Sequence, residues 1–368
     1  MPSRRRGIGL VVLVACLLLA TGISAAQQPV VPDRDHPRQV FIERDVGPNG
    51  ADRLIFVDLL TGEERPLDVD GDRYTIAHNG VLYLDRATRR VMLAAPTGSI
   101  IEHPFIQPGP QTRRIDWLVS NDGRSIAWTL TEGTPAALAT ATWVADIDGT
   151  HARQVLADGP RDGIRAFPVA FDEARATLFM DYQPDTIGDI TPFRQYAGLF
   201  SVDLATGDAA SLPGEPGCFC GAGINAGYFL RLALAENLAG FSLRAYALTS
   251  GQMQTIPGPD LTNYTQGGDV LIAPDGTRAV YALSQVLGFG TAGQSAQTIY
   301  LYVDLVNMTQ RVLIQPTDQH LKPIAWTEDN SAVLYSDPTT NGTWKITIAD
   351  SSLTRVARAT FLGTLLPR

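Results

Sequence analysis

The sequence contains few of the residues on which many metal proteins and cofactor enzymes depend. Among 368 residues there are 3 cysteines and 5 histidines. No two histidines have the i, i+4 spacing that places a pair of zinc ligands on one helix face. Zinc is therefore weakly supported, and we expect neither a resident metal nor another cofactor.

Positive charge is also scarce. Lys and Arg number 29 against 38 Asp and Glu, which gives a formal net charge of −9, and loss of the three arginines at positions 4–6 with a leader would make it about −12. Binding to nucleic-acid phosphates needs a basic surface, so we expect no nucleic-acid partner. The mean hydropathy is zero, which excludes a multi-span membrane protein and a disordered chain.

The longest apolar run lies at the N-terminus. Three arginines at positions 4–6 precede an apolar stretch over residues 8–20, and Ser24-Ala25-Ala26 offers small residues to a signal peptidase. This pattern predicts a signal peptide over residues 1–26, cleaved near Ala26.

Two alternatives to cleavage stay open. Residues 8–26 are long enough to remain as an N-terminal membrane anchor, and the sequence before Cys16 is similar to a lipoprotein acylation site. Any contact with a membrane would be made through that anchor or lipid. In each case the folded part is exported to the periplasm, the cell envelope or the medium, and residues 27–38, which contain three prolines, form a polar tether.

A strand, a tight turn and a second strand recur along the rest of the chain. The turns end at residues 80, 123, 174, 227, 276 and 330, so the unit repeats about every 43 to 54 residues. Asn-Gly and Asp-Gly turns between apolar runs are the strongest local signal for a β-hairpin. Three of the six turns contain one of these dipeptides; the six are His78-Asn79-Gly80, Ser120-Asn121-Asp122-Gly123, Phe171-Asp172-Glu173-Ala174, Ile224-Asn225-Ala226-Gly227, Ala273-Pro274-Asp275-Gly276 and Thr327-Glu328-Asp329-Asn330.

A second hairpin follows in each unit, as at residues 54–58 before Thr61-Gly62 and residues 300–304 before Asn307. Four strands per unit and seven second hairpins predict an all-β, seven-bladed β-propeller over residues 39–368. The first blade lacks an inner strand of its own. We expect residues 360–365 to complete it and to close the ring, which removes exposed strand edges.

Two copies of the repeat resemble a known family. Residues 120–128 (Ser-Asn-Asp-Gly-Arg-Ser-Ile-Ala-Trp) and 273–281 (Ala-Pro-Asp-Gly-Thr-Arg-Ala-Val-Tyr) are similar to the Pro-Asp-Gly repeat of TolB-like and WD-like bacterial propellers. The same repeat forms the non-catalytic propeller of dipeptidyl-peptidase and prolyl-oligopeptidase proteins. Those peptidases also need a Gly-x-Ser-x-Gly elbow. Residues 293–297 (Gly-Gln-Ser-Ala-Gln) do not match this motif, because the last residue is not glycine. The resemblance, over roughly residues 40–366, implies a propeller that binds or scaffolds.

The long connections are expected on one face of the ring. Turns between first and second strands, and between third and fourth strands, are short, whereas the remaining connections hold nearly every long segment. Long loops gathered on one rim are typical of binding sites, although loops under no constraint would also lengthen. The residues that we single out there as candidate binding residues are Asp181, Tyr182, Asp185, Asp189, Arg194, Tyr196 and Tyr264.

Two roles are open for the charged residues of the loop at positions 182–197. Asp185 and Asp189 could bind a cation or a ligand hydroxyl, and Arg194 could bind a carboxylate. Alternatively, Arg194 pairs with Asp185 or Asp189 and only holds the loop in place. The second role is slightly favoured, because internal pairing of loop charges is common.

Cys218 and Cys220 are the only cysteines left after loss of a leader, and export favours their oxidation. A disulfide between residues separated by one position closes a small strained ring. We expect that disulfide, with a reduced buried pair and a metal or redox role as the alternatives.

These observations favour an exported, non-enzymatic propeller that binds an envelope protein, peptide or glycan with its long loops. The alternative is a propeller enzyme, a metal-dependent hydrolase or lyase, with its site at the same face of the central opening. We identify no catalytic residue from the sequence.

Overall fold

Antiparallel strands in groups of four make up the described part of the chain. The computed structural model describes residues 36–185, 193–212, 221–234, 240–259, 261, 263–288, 291, 293–337 and 339–367. These residues contain 28 strands in seven four-stranded sheets. They include no helix long and apolar enough to cross a bilayer. The seven sheets confirm the predicted seven-bladed β-propeller.

Each sheet is one blade, written here from its inner to its outer strand. Blade 1 is β28 (Thr360–Leu365), β1 (Arg38–Glu43), β2 (Asp52–Asp58) and β3 (Glu64–Val69); blade 2 is β4 (Gly71–Ala77), β5 (Gly80–Asp85), β6 (Val91–Ala94) and β7 (Ile100–Glu102); blade 3 is β8 (Thr112–Val119), β9 (Ser125–Thr134), β10 (Ala137–Asp146) and β11 (Arg153–Arg161). Blade 4 is β12 (Ile164–Asp172), β13 (Thr177–Pro184), β14 (Leu199–Asp203) and β15 (Ala209–Ser211); blade 5 is β16 (Ala222–Asn225), β17 (Tyr228–Leu234), β18 (Phe241–Ala247) and β19 (Met253–Ile256). Blade 6 is β20 (Gln266–Ile272), β21 (Arg278–Leu287), β22 (Ser295–Asp304) and β23 (Thr309–Thr317); blade 7 is β24 (Lys322–Trp326), β25 (Ala332–Ser336), β26 (Thr343–Thr347) and β27 (Leu353–Ala357).

Burial falls from the middle of each blade to its rim. The second strands β5 and β21 each have five or more consecutive buried residues, whereas the outer strands β15 and β27 have none. A second strand packs against a neighbouring blade on both faces, so its sequence is a continuous apolar run instead of an alternating one. The hydrophobic core therefore lies between blades, as in the cluster of Leu283 and Leu301 with Leu232 of the preceding blade.

The C-terminal strand closes the ring as predicted. β28 pairs antiparallel with β1, with Thr360 opposite Ile42 and Leu365 opposite Arg38. The rings of Phe41 and Phe361 meet edge to face with centroids 5.5 Å apart. Blade 1 is thus built from both ends of the described chain, and the inner edge of β1 is paired with β28.

The connections define two faces. We call the side with the turns between first and second strands the short-turn face, and the opposite side the long-loop face. On the short-turn face, aspartates bind the backbone of their own turns. The Asp122 carboxylate accepts from the Ser120 hydroxyl at 2.7 Å and from Arg124 N at 3.0 Å, and Asp329 repeats this pattern with Thr327 and Ser331.

Several inner strands carry a β-bulge, and in β4 and β20 the bulge contains a charged residue with positive φ. In β4, Arg73 and Tyr74 lie opposite the single residue Tyr83, and in β20 Asp269 and Val270 lie opposite Tyr281. Arg73 and Asp269 adopt φ values of 61° and 53°, a left-handed conformation that costs a non-glycine residue about 1 to 3 kcal/mol. Bulges redirect side chains, and here both redirected side chains are charged.

Candidate functional site on the long-loop face

Asp181 anchors the loop that follows β13. Its side chain is fully buried and accepts hydrogen bonds from Gly198 N at 2.7 Å and Ala197 N at 3.2 Å. Burial raises the pKa of Asp181 to about 6, although the backbone donors favour the ionised form. This predicted binding residue therefore holds the returning end of the loop against its own blade.

The returning segment, residues 193–198, reaches from blade 4 to blades 6 and 7, and we call it the strap. Arg194 N donates to Asp269 Oδ1 at 2.8 Å, and the ring of Phe193 packs edge-on against His320 with centroids 4.8 Å apart. A Cβ on Gly268 would lie 2.7 Å from Phe193 Cβ and from Arg194 O. The glycine is thus required for the strap to rest on β20.

Beneath the strap lies a buried polar pair. His320 Nε2 is 3.4 Å from Asp269 Oδ2, and both of these atoms are buried without a hydrogen-bond partner of good geometry among the described residues. Phe193 is only 3% exposed and its ring packs against His320, so the strap covers the buried polar pair.

On the side of blades 2, 3 and 4, charged residues from three inner strands and one loop meet at the opening. Each lies near the start of its inner strand, or directly after β13 in the case of Asp185, and therefore at the long-loop face. We call this group the arginine cluster: Arg73, Arg113, Arg114, Arg165, Asp116 and Asp185.

Asp116 is the centre of the cluster. It is 4% exposed and accepts a hydrogen bond from Arg165 Nη1 at 2.7 Å and another from Arg73, while Arg114 Nε lies 3.7 Å away. Burial lowers the pKa of Arg165, and the Coulombic attraction of Asp116 opposes that effect. The aspartate therefore keeps a buried guanidinium in its charged form.

Asp185 joins the cluster from the loop. Arg113 Nη2 donates to Asp185 Oδ2 at 3.0 Å, and Arg165 Nε lies 3.7 Å from Asp185 Oδ1. The sequence offered Arg194 as a possible partner of Asp185. In the structure, Arg113 of blade 3 and Arg165 of blade 4 lie beside Asp185. Asp189 lies outside the described residues.

The remaining predicted residues have packing roles or lie outside the described residues. Tyr182 stacks on Phe200 with ring centroids 4.4 Å apart. Burial raises the pKa of Tyr196, and the positive charge of Arg194 acts against this rise. Tyr264 is 7% exposed within the core between blades 5 and 6. Cys218 and Cys220 lie outside the described residues, so the disulfide stays a prediction.

The arginines of the cluster were not singled out from the sequence. A signal for them exists, because Arg73, Arg114 and Arg165 stand close to the start of inner strands whose later residues are mostly apolar or small. Charged residues are unexpected on the inner strands that line the central opening, because most charged side chains lie at the outer surface. The described residues hold no group of three or more His, Cys, Asp or Glu placed to bind a metal ion.

A cavity of about 600 Å³ lies on the short-turn face between blades 3 and 6. The polar groups in its wall bind one another. Asn121 Nδ2 donates to Asn225 Oδ1 at 3.2 Å, Asn121 N donates to Glu173 Oε1 at 2.9 Å, and Arg175 Nε donates to Asp172 Oδ2 at 2.7 Å. This cavity has two carboxylates and one guanidinium in its wall and thus no excess of positive charge, in contrast to the arginine cluster.

Solved structures share the fold. The chain is similar to an oligogalacturonate lyase in complex with manganese, with 9% identity, a TM-score of 0.53 and coverage of 89% of this chain and 90% of that one. TolB from Acinetobacter baumannii matches at 13% identity and a TM-score of 0.40, over 76% and 63% of the two chains. Prolyl oligopeptidase B from Galerina marginata matches at 14% and 0.46, over 83% and 48%.

No protein-family model and no curated protein matches the amino-acid sequence. At identities of 9–14% the structural similarities show the fold alone. The protein is a seven-bladed β-propeller whose structural neighbours include TolB proteins and the propellers of prolyl-oligopeptidase relatives.

Proposed function

We propose that this protein is an exported, non-enzymatic binding module, which holds a protein, peptide or glycan of the cell envelope on its long-loop face. The observation that carries the proposal is the arginine cluster. Bringing charged side chains out of water is costly even when they are paired, and the fold does not need them there, because the strands pair through their backbones.

The short-turn face supports this assignment by contrast. There, carboxylates such as Asp122, Asp275 and Asp329 bind hydroxyl and backbone groups of their own turns. Their positions follow from turn chemistry. On the long-loop face, ion pairs between charged side chains connect different blades, as between Arg165 and Asp116, so they shape a surface that several blades share.

Pairing of the carboxylates favours binding over catalysis. Asp116 and Asp185 accept from arginines, and Asp181 accepts from two backbone amides. These carboxylates are already engaged by donors of the protein, whereas partly exposed guanidinium groups bind and orient anionic groups. Export rests on the predicted leader at residues 1–26.

A ligand screen tests the proposal. The chain from Gln27 onward is heated with defined neutral, acidic and basic peptides and oligosaccharides, and hydrogen exchange is then measured with each compound that raises the Tm. We expect protection at the starts of β4, β8 and β12 and none at the turn of residues 120–123. Protection confined to the short-turn face, or no Tm rise with any compound, would contradict the proposal. Conversion of a bound compound to product would replace it with the enzyme alternative.

A further inference from the structure

We propose that the arginine cluster recognises a pair of carboxylate groups on the ligand. This inference rests on the proposed function, since it names the chemistry that the long-loop face selects. It is argued from charge balance, burial and the geometry of the guanidinium groups.

The cluster has an excess of positive charge. Its four guanidinium groups face two carboxylates, which leaves two positive charges without a negative partner within the group. The excess stands out because the whole chain is acidic, with 29 basic against 38 acidic side chains. A ligand with two negative charges would restore neutrality.

A second charged cluster on the same face shows that such an excess is not general. Between blades 1 and 2, Arg44 and Arg86 surround the fully buried Asp52, with Nη–Oδ2 distances of 3.0 and 3.4 Å. Arg86 also pairs with Asp70 and Asp72. In this second cluster the carboxylates outnumber the arginines, so every arginine there already has a carboxylate partner.

A buried donor of the arginine cluster is unused. The side chain of Arg165 is 4% exposed, and its Nε has no hydrogen-bond partner among the described residues, the closest carboxylate oxygen being Asp185 Oδ1 at 3.7 Å. A buried N–H without a partner carries a free-energy cost. An oxygen acceptor supplied by a ligand would remove that cost.

The accessible members of the cluster are held ready for a planar anion. The side chains of Arg73, Arg113 and Arg114 are 33%, 37% and 40% exposed. Arg73 lies over the ring of Trp117 at 5.6 Å, and Arg165 lies over Phe167 at 4.8 Å. Stacking on an aromatic face fixes the plane of a guanidinium, and a fixed guanidinium binds both oxygens of a carboxylate with two parallel hydrogen bonds.

The probe is propane-1,2,3-tricarboxylate, compared with its neutral triamide and with tripolyphosphate. Calorimetric titration of the chain from Gln27 onward should show binding of the tricarboxylate that weakens as NaCl is added, and no binding of the triamide. Arg114→Gln and, separately, Arg113→Gln should weaken binding at least tenfold. Arg124→Gln is the matched control, because it removes the same charge at the other end of β8, and it should change the Kd less than twofold.

Three results would overturn the inference. They are equal binding by Arg114→Gln and the unmodified protein, binding of the triamide as tight as that of the tricarboxylate, and tighter binding of tripolyphosphate. If neutral or basic compounds of the ligand screen bind the long-loop face while the tricarboxylate does not, the inference fails and the proposed function stands. If no compound binds that face, the proposed function fails.

Discussion

Arg165 and Asp116 join the inner strands of blades 4 and 3 through a buried ion pair with an Nη1–Oδ2 distance of 2.7 Å. The two residues are 49 positions apart in the chain, and both side chains are less than 10% exposed. Their pairing ties two blades together at the point where the central opening meets the long-loop face.

Removal of Asp116 should be strongly destabilising. Asp116→Ala leaves Arg165 buried beside other arginines, and the loss of one partner of a buried ion pair costs about 3 to 5 kcal/mol. Denaturant unfolding of Asp116→Ala, Arg165→Met and the double variant measures the coupling. We expect the double variant to be more stable than the sum of the single changes predicts, and strict additivity would contradict the pairing.

Closure of the ring by β28 predicts that Phe361 is needed for stability. Its ring packs against Phe41 and is 8% exposed, so Phe361→Ala should lower the free energy of unfolding by about 3 kcal/mol. Leu366→Ala, one residue beyond β28 and 65% exposed, is the control and should cost under about 0.5 kcal/mol. Similar losses for both would mean that the ring does not depend on this contact.

The raised pKa of Asp181 predicts that the stability of the protein depends on pH. Its pKa is about 6 in the folded protein and near 3.8 when unfolded, so between these values the folded state binds more protons and stability falls as pH rises. The total change is about 3 kcal/mol. Asp181→Asn lacks this titration, and its stability relative to the unmodified protein should increase by up to that amount from pH 4 to pH 7.

The control for this measurement is Asp329→Asn on the short-turn face. Hydrogen bonds from Ser331 and Thr327 lower the pKa of Asp329 to about 2, so its titration ends below pH 4. Because the pKa of this carboxyl is near 3.8 in the unfolded chain, the stability difference between Asp329→Asn and the unmodified protein should be nearly constant from pH 5 to pH 7. A constant difference for Asp181→Asn as well would show that burial of Asp181 does not perturb its titration.

The close contact at Gly268 predicts that an added methyl group will displace the strap from blade 6. Gly268→Ala places a methyl group 2.7 Å from Phe193 Cβ, so the strap must shift, at a cost of about 1 to 3 kcal/mol. Faster hydrogen exchange at residues 193–198 is the direct readout. Gly293→Ala, with its nearest atom at 3.9 Å, should leave both exchange and stability unchanged, and unchanged exchange in Gly268→Ala would contradict the contact.

The fold could be predicted from the sequence because turn chemistry is local. Asn79-Gly80 and Asp275-Gly276 end inner strands wherever the repeat places them, and the missing first strand of blade 1 required a partner such as residues 360–365. Each of these features depends on a few neighbouring residues.

The site was less accessible to sequence reasoning because it depends on side chains that are far apart in the chain. Asp185 meets Arg113, 72 residues away, and Arg73 meets Asp116, 43 residues away. The bulge that turns Arg73 toward Asp116 arises from a shift in register between β4 and β5, and nothing in the local sequence announces such a shift. The described ends of the loop at residues 182–197 lie at this face, whereas the arginines that meet Asp185 were not predicted.

Arginine labelling tests the central claim most directly. The chain from Gln27 onward is treated with phenylglyoxal with and without propane-1,2,3-tricarboxylate, and the modified peptides are quantified by mass spectrometry. We predict slower modification of Arg113 and Arg114 at the long-loop face and an unchanged rate for Arg124 at the short-turn face. Equal rates at all three arginines with and without the anion, or protection of Arg124 alone, would contradict binding by the arginine cluster.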